Sequence, residues 1–206
     1  MKKLTLTIAV LAIAGMSSAA LNIANANFDD DSAWTWGDSN TGWGSTSDTY
    51  HDAANGTGVA YVNSTEGGGY AVIHQKVSVA GSGIQGGDVV TMSAFVQAAV
   101  GEAEGIALLK LESWGGADGS TDLGAAVEHV FTASEAGAIE SFDYTVASGT
   151  TYLTVVVGAT GGWGGATAQN GNFSFDNVQV VPEPATMGLI GLFGGGMMAL
   201  RRFRIC

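Results

Sequence analysis

The chain has 206 residues and a formal net charge of −12, with seven Lys or Arg against nineteen Asp or Glu, and its single cysteine, Cys206, is the last residue. So acidic a composition disfavours nucleic acid and anionic membrane surfaces, because phosphate binding relies on lysine and arginine. One cysteine excludes an internal disulfide, so stability must come from burial or bound metal.

Lys2 and Lys3 precede an apolar stretch from Leu4 to Ala14, and small residues follow through Ala20. This is the layout of a secretory signal peptide, expected as a short helix over residues 1–20. Cleavage after Ser18-Ala19-Ala20 releases a chain starting at Leu21, and cleavage after Ala24-Asn25-Ala26 one starting at Asn27. The first is preferred, because Leu21 to Phe28 looks useful to the fold.

Residues 21–181 form one domain. Glycine is frequent there, proline is absent, and short apolar or aromatic stretches are separated by Gly, Asn, Asp and Ser, which reads as strands and turns. Strands are expected over Val59 to Asn63, Tyr70 to Val79, Val89 to Val100, Ile106 to Ser113, Ala126 to Ala133, Ile139 to Val146, Thr151 to Gly158 and Asn172 to Val181. In the second of these, Val72, His74, Lys76 and Ser78 alternate with Ile73, Gln75, Val77 and Val79, so one face is mostly apolar. Val155, Val156 and Val157 run together, as in a strand buried on both faces. Ser39 to Gly58, rich in Gly, Ser, Thr, Asp and Asn, reads as a long loop. Eight or nine strands without crossover helices predict an all-β, antiparallel β-sandwich of jelly-roll type.

The chain then passes through Pro182, Glu183 and Pro184 into sixteen uncharged residues, Ala185 to Leu200, followed by Arg201, Arg202 and Arg204. As a helix at about 1.5 Å per residue this run reaches roughly 24 Å, near a hydrocarbon core of about 30 Å. The arginines would hold its end in the cytoplasm and leave the domain outside. A single transmembrane helix over 185–200 is therefore expected within a terminal segment 182–206. Without the two terminal segments only Lys76 and Lys110 remain, against eighteen acidic residues, a body charge of −16. That charge suits divalent cations, neutral ligands or a saline exterior, and also keeps an exported protein soluble.

The order Pro-Glu-Pro, apolar span, arginine cluster resembles the PEP-CTERM sorting signal of Gram-negative bacteria. The resemblance implies export, transient retention in the inner membrane, and processing by an exosortase in bacteria that make extracellular polysaccharide. The body carries a second resemblance. Asn27-Phe28-Asp29 followed by Trp34, then Gly87-Asp88-Val89-Val90-Thr91-Met92-Ser93-Ala94, then Phe175-Asp176-Asn177-Val178 are similar to a carbohydrate-binding-module jelly roll of the galactose-binding-like type. That family implies a structural calcium near the meeting of first and last strands, and Asp29 and Asp176 hold the matching positions. Aspartate stands here where the family often has glutamate after the phenylalanine.

Sugar recognition needs aromatic rings for the apolar face of a pyranose and polar groups for its hydroxyls. Trp43, Trp114 and Trp163, in glycine-rich surroundings (Gly42 and Gly44, Gly115 and Gly116, Gly162 and Gly164), are the candidate platforms on loops, whereas Trp34 matches a structural position of that family. For glycoside hydrolysis, Glu102, Glu104, Glu112 and Glu128 are available, but no motif selects a pair. His51, His74 and His129 are scattered, without metal spacing. The expected function is thus an exported, non-catalytic protein of the cell surface or extracellular matrix that associates with polysaccharide. The alternative is a secreted polysaccharide-active enzyme of jelly-roll type.

Overall fold

Alternation of apolar and polar residues at period two puts one face of each strand in the core, and in this chain two such sheets close on each other. The computed structural model describes residues 20–40, 45–64, 69–99, 106–132, 137–160 and 171–183. It contains β1 (Thr35–Asn40), β2 (Ser45–Asp52), β3 (Thr57–Ser64), β4 (Tyr70–Ser78), β5 (Val89–Ala98), β6 (Ile106–Gly115), β7 (Thr121–Thr132), β8 (Ala138–Thr145), β9 (Tyr152–Thr160) and β10 (Gly171–Pro182). One sheet has the order β1-β4-β9-β6-β7 and the other β2-β3-β10-β5-β8. All pairs are antiparallel. This is the expected two-sheet sandwich, and no helix occurs among the described residues.

The core lies between the sheets. Ile73 and Val77 of β4, Leu109 and Leu111 of β6, and Leu153, Val155 and Val157 of β9 meet Phe173, Phe175 and Val180 of β10 and Val90 and Met92 of β5. On β4 the expected alternation holds, with residues 71, 73, 75 and 77 buried. Gln75 is the polar member of that inward set. Its Nε2 donates to the Ala24 and Ala33 carbonyls, and its Oε1 accepts from the Ala24 N–H, so its burial is offset by three bonds. Those bonds fasten the segment before β1. Leu21 N–H also donates to the Val180 carbonyl and Val178 N–H to the Ala26 carbonyl, so this segment runs along β10. Leu21, Ile23 and Phe28 are core residues, as a segment used by the fold should supply. Tyr144 of β8 ties the sheets at one end, its hydroxyl donating to Ser113 Oγ at 2.6 Å and lying 3.0 Å from the Ala125 carbonyl. Burial pushes the pKa of that phenol up, against the opposing pull of Ser113.

The expectation of a long loop over Ser39 to Gly58 is corrected: β2 occupies Ser45–Asp52 within it and pairs along its whole length with β3. β2 is an edge strand. One partner satisfies its ladder and solvent takes the other side, so its sequence can stay polar and escape a pattern search. β7 likewise starts at Thr121, before the expected Ala126, and is an edge strand exposed over most of its length. The expected signal helix and the 185–200 helix lie outside the described residues. Among the described residues no helix is long and apolar enough to cross a membrane.

Candidate functional site

The outward residues of the β1-β4-β9-β6-β7 sheet form a groove of about 410 Å³ lined by Tyr70, Val72, His74 and Lys76 of β4, Thr154 and Val156 of β9, and Leu108, Lys110, Glu112 and Trp114 of β6, with Thr35 and Glu128 at the sides. Strand register brings these together. Val72, Gly158 and Leu108 align across the three central strands; one step along are His74, Val156, Lys110 and then Glu128 of β7, and beyond them Lys76, Thr154 and Glu112. The floor is apolar at one end and ionic at the other.

Lys110 sits at the centre of the ionic end. Its Nζ lies 2.8 Å from Glu112 Oε1 and 3.1 Å from Glu128 Oε1, one on its own strand and one on β7. Partial burial alone would lower the Lys110 pKa; the hydrogen bonds and charges of the two glutamates outweigh it and lift it above the ordinary value. Lys76 is placed differently. Its Nζ stands 4.0 Å above the centre of the Trp114 ring and donates to the Gly119 carbonyl at 2.8 Å. Thr154 Oγ1 and Trp114 Nε1 are buried and find no hydrogen-bond partner among the described residues. A polar atom left this way costs about 1–3 kcal/mol.

Of the three candidate tryptophans, Trp114 is in the groove, while Trp43 and Trp163 lie outside the described residues. Trp114 stands on β6 and not on a loop, half-buried, with an ammonium over one ring face. The aromatic surface most open to the groove is that of Tyr70, 36% exposed, a residue the sequence did not single out. Trp34 is structural, as expected: 5% exposed, stacked on Phe28 at 4.7 Å, its Nε1–H donating to the Asn25 carbonyl.

Glu112 and Glu128 are brought together, while Glu102 and Glu104 lie outside the described residues. The histidines stay apart. His74 lines the groove, His51 Nε2 donates to the Phe28 carbonyl at 2.8 Å, and His129 stacks on Phe131 and Phe142. Asp29 is exposed in the turn before β1, where its N–H donates to Asn25 Oδ1. Asp176 is on β10, its Oδ1 accepting from the Asn177 N–H. A calcium ion takes six to eight oxygens, and among the described residues no three His, Cys, Asp or Glu side chains converge. Pro182 closes β10 and Glu183 N–H donates to the Val89 carbonyl, so the first two residues of the Pro-Glu-Pro triplet continue the sheet. Pro184, Arg201, Arg202 and Arg204 lie outside the described residues.

A second groove, about 540 Å³, crosses the other sheet, with Tyr50, Asp52, Asn55, Gln97, Asn172 and Asp176 among its lining residues. Among the described residues it contains no Lys, Arg or His.

No protein-family model and no curated protein matches the chain. Solved structures do. The enzymatically active domain of tailspike protein 4 from bacteriophage CBA120 superposes with a TM-score of 0.51 at 12% identity, over 79% of this chain and 21% of that one. This likeness shows a shared fold and extends over only that fraction of the tailspike chain. TmCBM61, solved in complex with β-1,4-galactotriose, gives a TM-score of 0.43 at 13% identity over 79% of this chain and 99% of that one. The CBM22-2 xylan-binding domain from Paenibacillus barcinonensis Xyn10C gives 0.44 at 16%, over 76% and 97%.

Proposed function

We propose that the protein is an exported, non-catalytic β-sandwich that binds extracellular polysaccharide along the groove of the β1-β4-β9-β6-β7 sheet. The observation that carries this reading is the lining of one open groove by an aromatic ring, Tyr70, an apolar floor at Val72, Leu108 and Val156, and charged groups able to take hydroxyls. That is the mixture a pyranose chain needs, since each ring offers an apolar face and a rim of hydroxyls. The sorting signal supports the setting: export, transient hold in the inner membrane by the 185–200 span, and processing by an exosortase would deliver the domain to the cell surface or matrix.

Hydrolysis is the second reading, and Glu112 with Glu128 favour it in one respect. Both touch the same Nζ, so their carboxylates lie within roughly 6 Å, near the spacing of a retaining pair. The same contact argues against it. Lys110 Nζ fills the space between them, where a glycosidic oxygen would have to sit. Binding therefore fits the geometry better than bond cleavage.

Tyr70→Ala should cut retention on a polysaccharide that the unaltered chain binds by about tenfold, or about 1.4 kcal/mol, with the melting temperature little changed because the residue is on the outer face. Unchanged retention removes the groove as the binding surface. Release of reducing ends that depends on Glu112 or Glu128 overturns the non-catalytic reading.

A further inference from the structure

We infer that the groove is built for an acidic glycan, with a sugar carboxylate seated against Lys76. This inference rests on the glycan-binding reading above and names the ligand's class. Lys76 and Lys110 are the only Lys or Arg between Leu21 and Val181, among eighteen acidic residues, and both line this one groove. In so acidic a body a lysine has many carboxylates to pair with, and Lys110 has taken two of them, Glu112 and Glu128. Lys76 has taken none: among the described residues no carboxylate oxygen lies within ion-pair distance of its Nζ. Among the described residues its Nζ donates one hydrogen bond, to a neutral acceptor, the Gly119 carbonyl, and stands over the Trp114 ring. An ammonium carries three N–H donors, so two are left for a ligand.

The charged groups around it do not fill that role. Glu112, one strand beyond Thr154 in the same row, is held by Lys110. Asp118, in the turn that carries Gly119, feels the Lys76 charge only weakly; the hydrogen bonds from Ser120 are the chief causes that lower its pKa. Directly opposite Lys76 on β9 is Thr154, 94% buried, lining the groove with an unpartnered hydroxyl. Lys76 thus presents a cationic donor to the groove, the partner that a carboxylate oxygen takes in a charge-assisted hydrogen bond. The body charge of −16 does not forbid this. Repulsion from charges farther than the Debye length, about 8 Å at physiological ionic strength, is screened, and within the groove the two lysines cancel the two glutamates.

The test is affinity electrophoresis of the full-length chain in gels containing polygalacturonate, the same polymer fully methyl-esterified, a neutral β-1,4-xylan, or a sulfated galactan. Retardation by polygalacturonate should be about tenfold stronger than by its ester. Lys76→Gln should abolish that difference without lowering the melting temperature, and Lys76→Arg should keep it. Equal retardation by acid and ester, or a preference that survives Lys76→Gln, overturns the inference while leaving glycan binding intact. Stronger retardation by the sulfated galactan than by polygalacturonate overturns the carboxylate assignment. Retardation by none of the four overturns the inference together with the glycan-binding reading on which it rests.

Discussion

Phe28→Ala should destabilise the domain by about 3–5 kcal/mol, the usual cost of deleting a fully buried phenylalanine, and lower its melting temperature by about 10–20 °C. Phe28 is fully buried and stacked between the N-terminal segment and the sandwich, with Trp34 at 4.7 Å and Trp36 at 6.0 Å between ring centres. The chain makes room for it elsewhere. A methyl group added at Gly58 would come within 2.7 Å of the Phe28 ring, so that glycine is where the ring fits. Phe28 also has φ of 50°, a left-handed conformation that side chains rarely adopt. The burial of its ring and the His51 bond to its carbonyl hold it there. Alanine would retain the backbone cost and the carbonyl that His51 bonds, but lose the compensation from the buried ring. A loss of less than about 1 kcal/mol in denaturant titration would show that the segment before β1 is not part of the cooperative core.

Gly158→Ala should be nearly as damaging although it adds one methyl. Gly158 lies in the middle of β9, between β4 and β6. A Cβ there would collide with the Ala71 carbonyl oxygen and sit 2.9 Å from Val72 Cγ1. The first contact is with backbone, so relief requires moving β4 off β9 at the centre of the sheet. Overpacking of this kind costs about 1–3 kcal/mol or more, a fall of roughly 5–10 °C in a domain of this size. Glycan retention should fall as well, since Val72 and Leu108, the cross-strand neighbours of Gly158, form the apolar floor of the groove. A variant with the original melting temperature and retention would contradict the strand packing described for β4 and β9.

Much of this sandwich was legible from the chain. β4, β9 and β10 announce themselves because central strands must bury one or both faces, which leaves alternation in residues 70–78 and an unbroken valine run at 155–157. β2 did not, because an edge strand of sequence STSDTYHD satisfies its backbone through β3 alone and its side chains carry little apolar pattern. Trp34 was legible as structural only through the resemblance carried by Asn27-Phe28-Asp29 and Trp34. The groove was half legible. The polar set of β4 containing His74 and Lys76 was visible as the face opposite the core, but which strands would lie beside it was not. Lys76 and Trp114 meet across β9, and Lys110 meets Glu128 through the β6–β7 register. Neither contact is written in local spacing. Trp114 was singled out for the two glycines that follow it, on the expectation of a loop; it reached the groove instead as the penultimate residue of β6.

The most direct test of the binding surface is the mapping of backbone amide shifts by NMR during titration with an oligosaccharide of the polymer that the chain retains. Shifts should concentrate on residues 70–76, 108–114 and 154–158, the three strands of the groove floor. Shifts concentrated instead around Tyr50, Asp52, Asn172 and Asp176 would place the ligand on the opposite sheet and contradict the account.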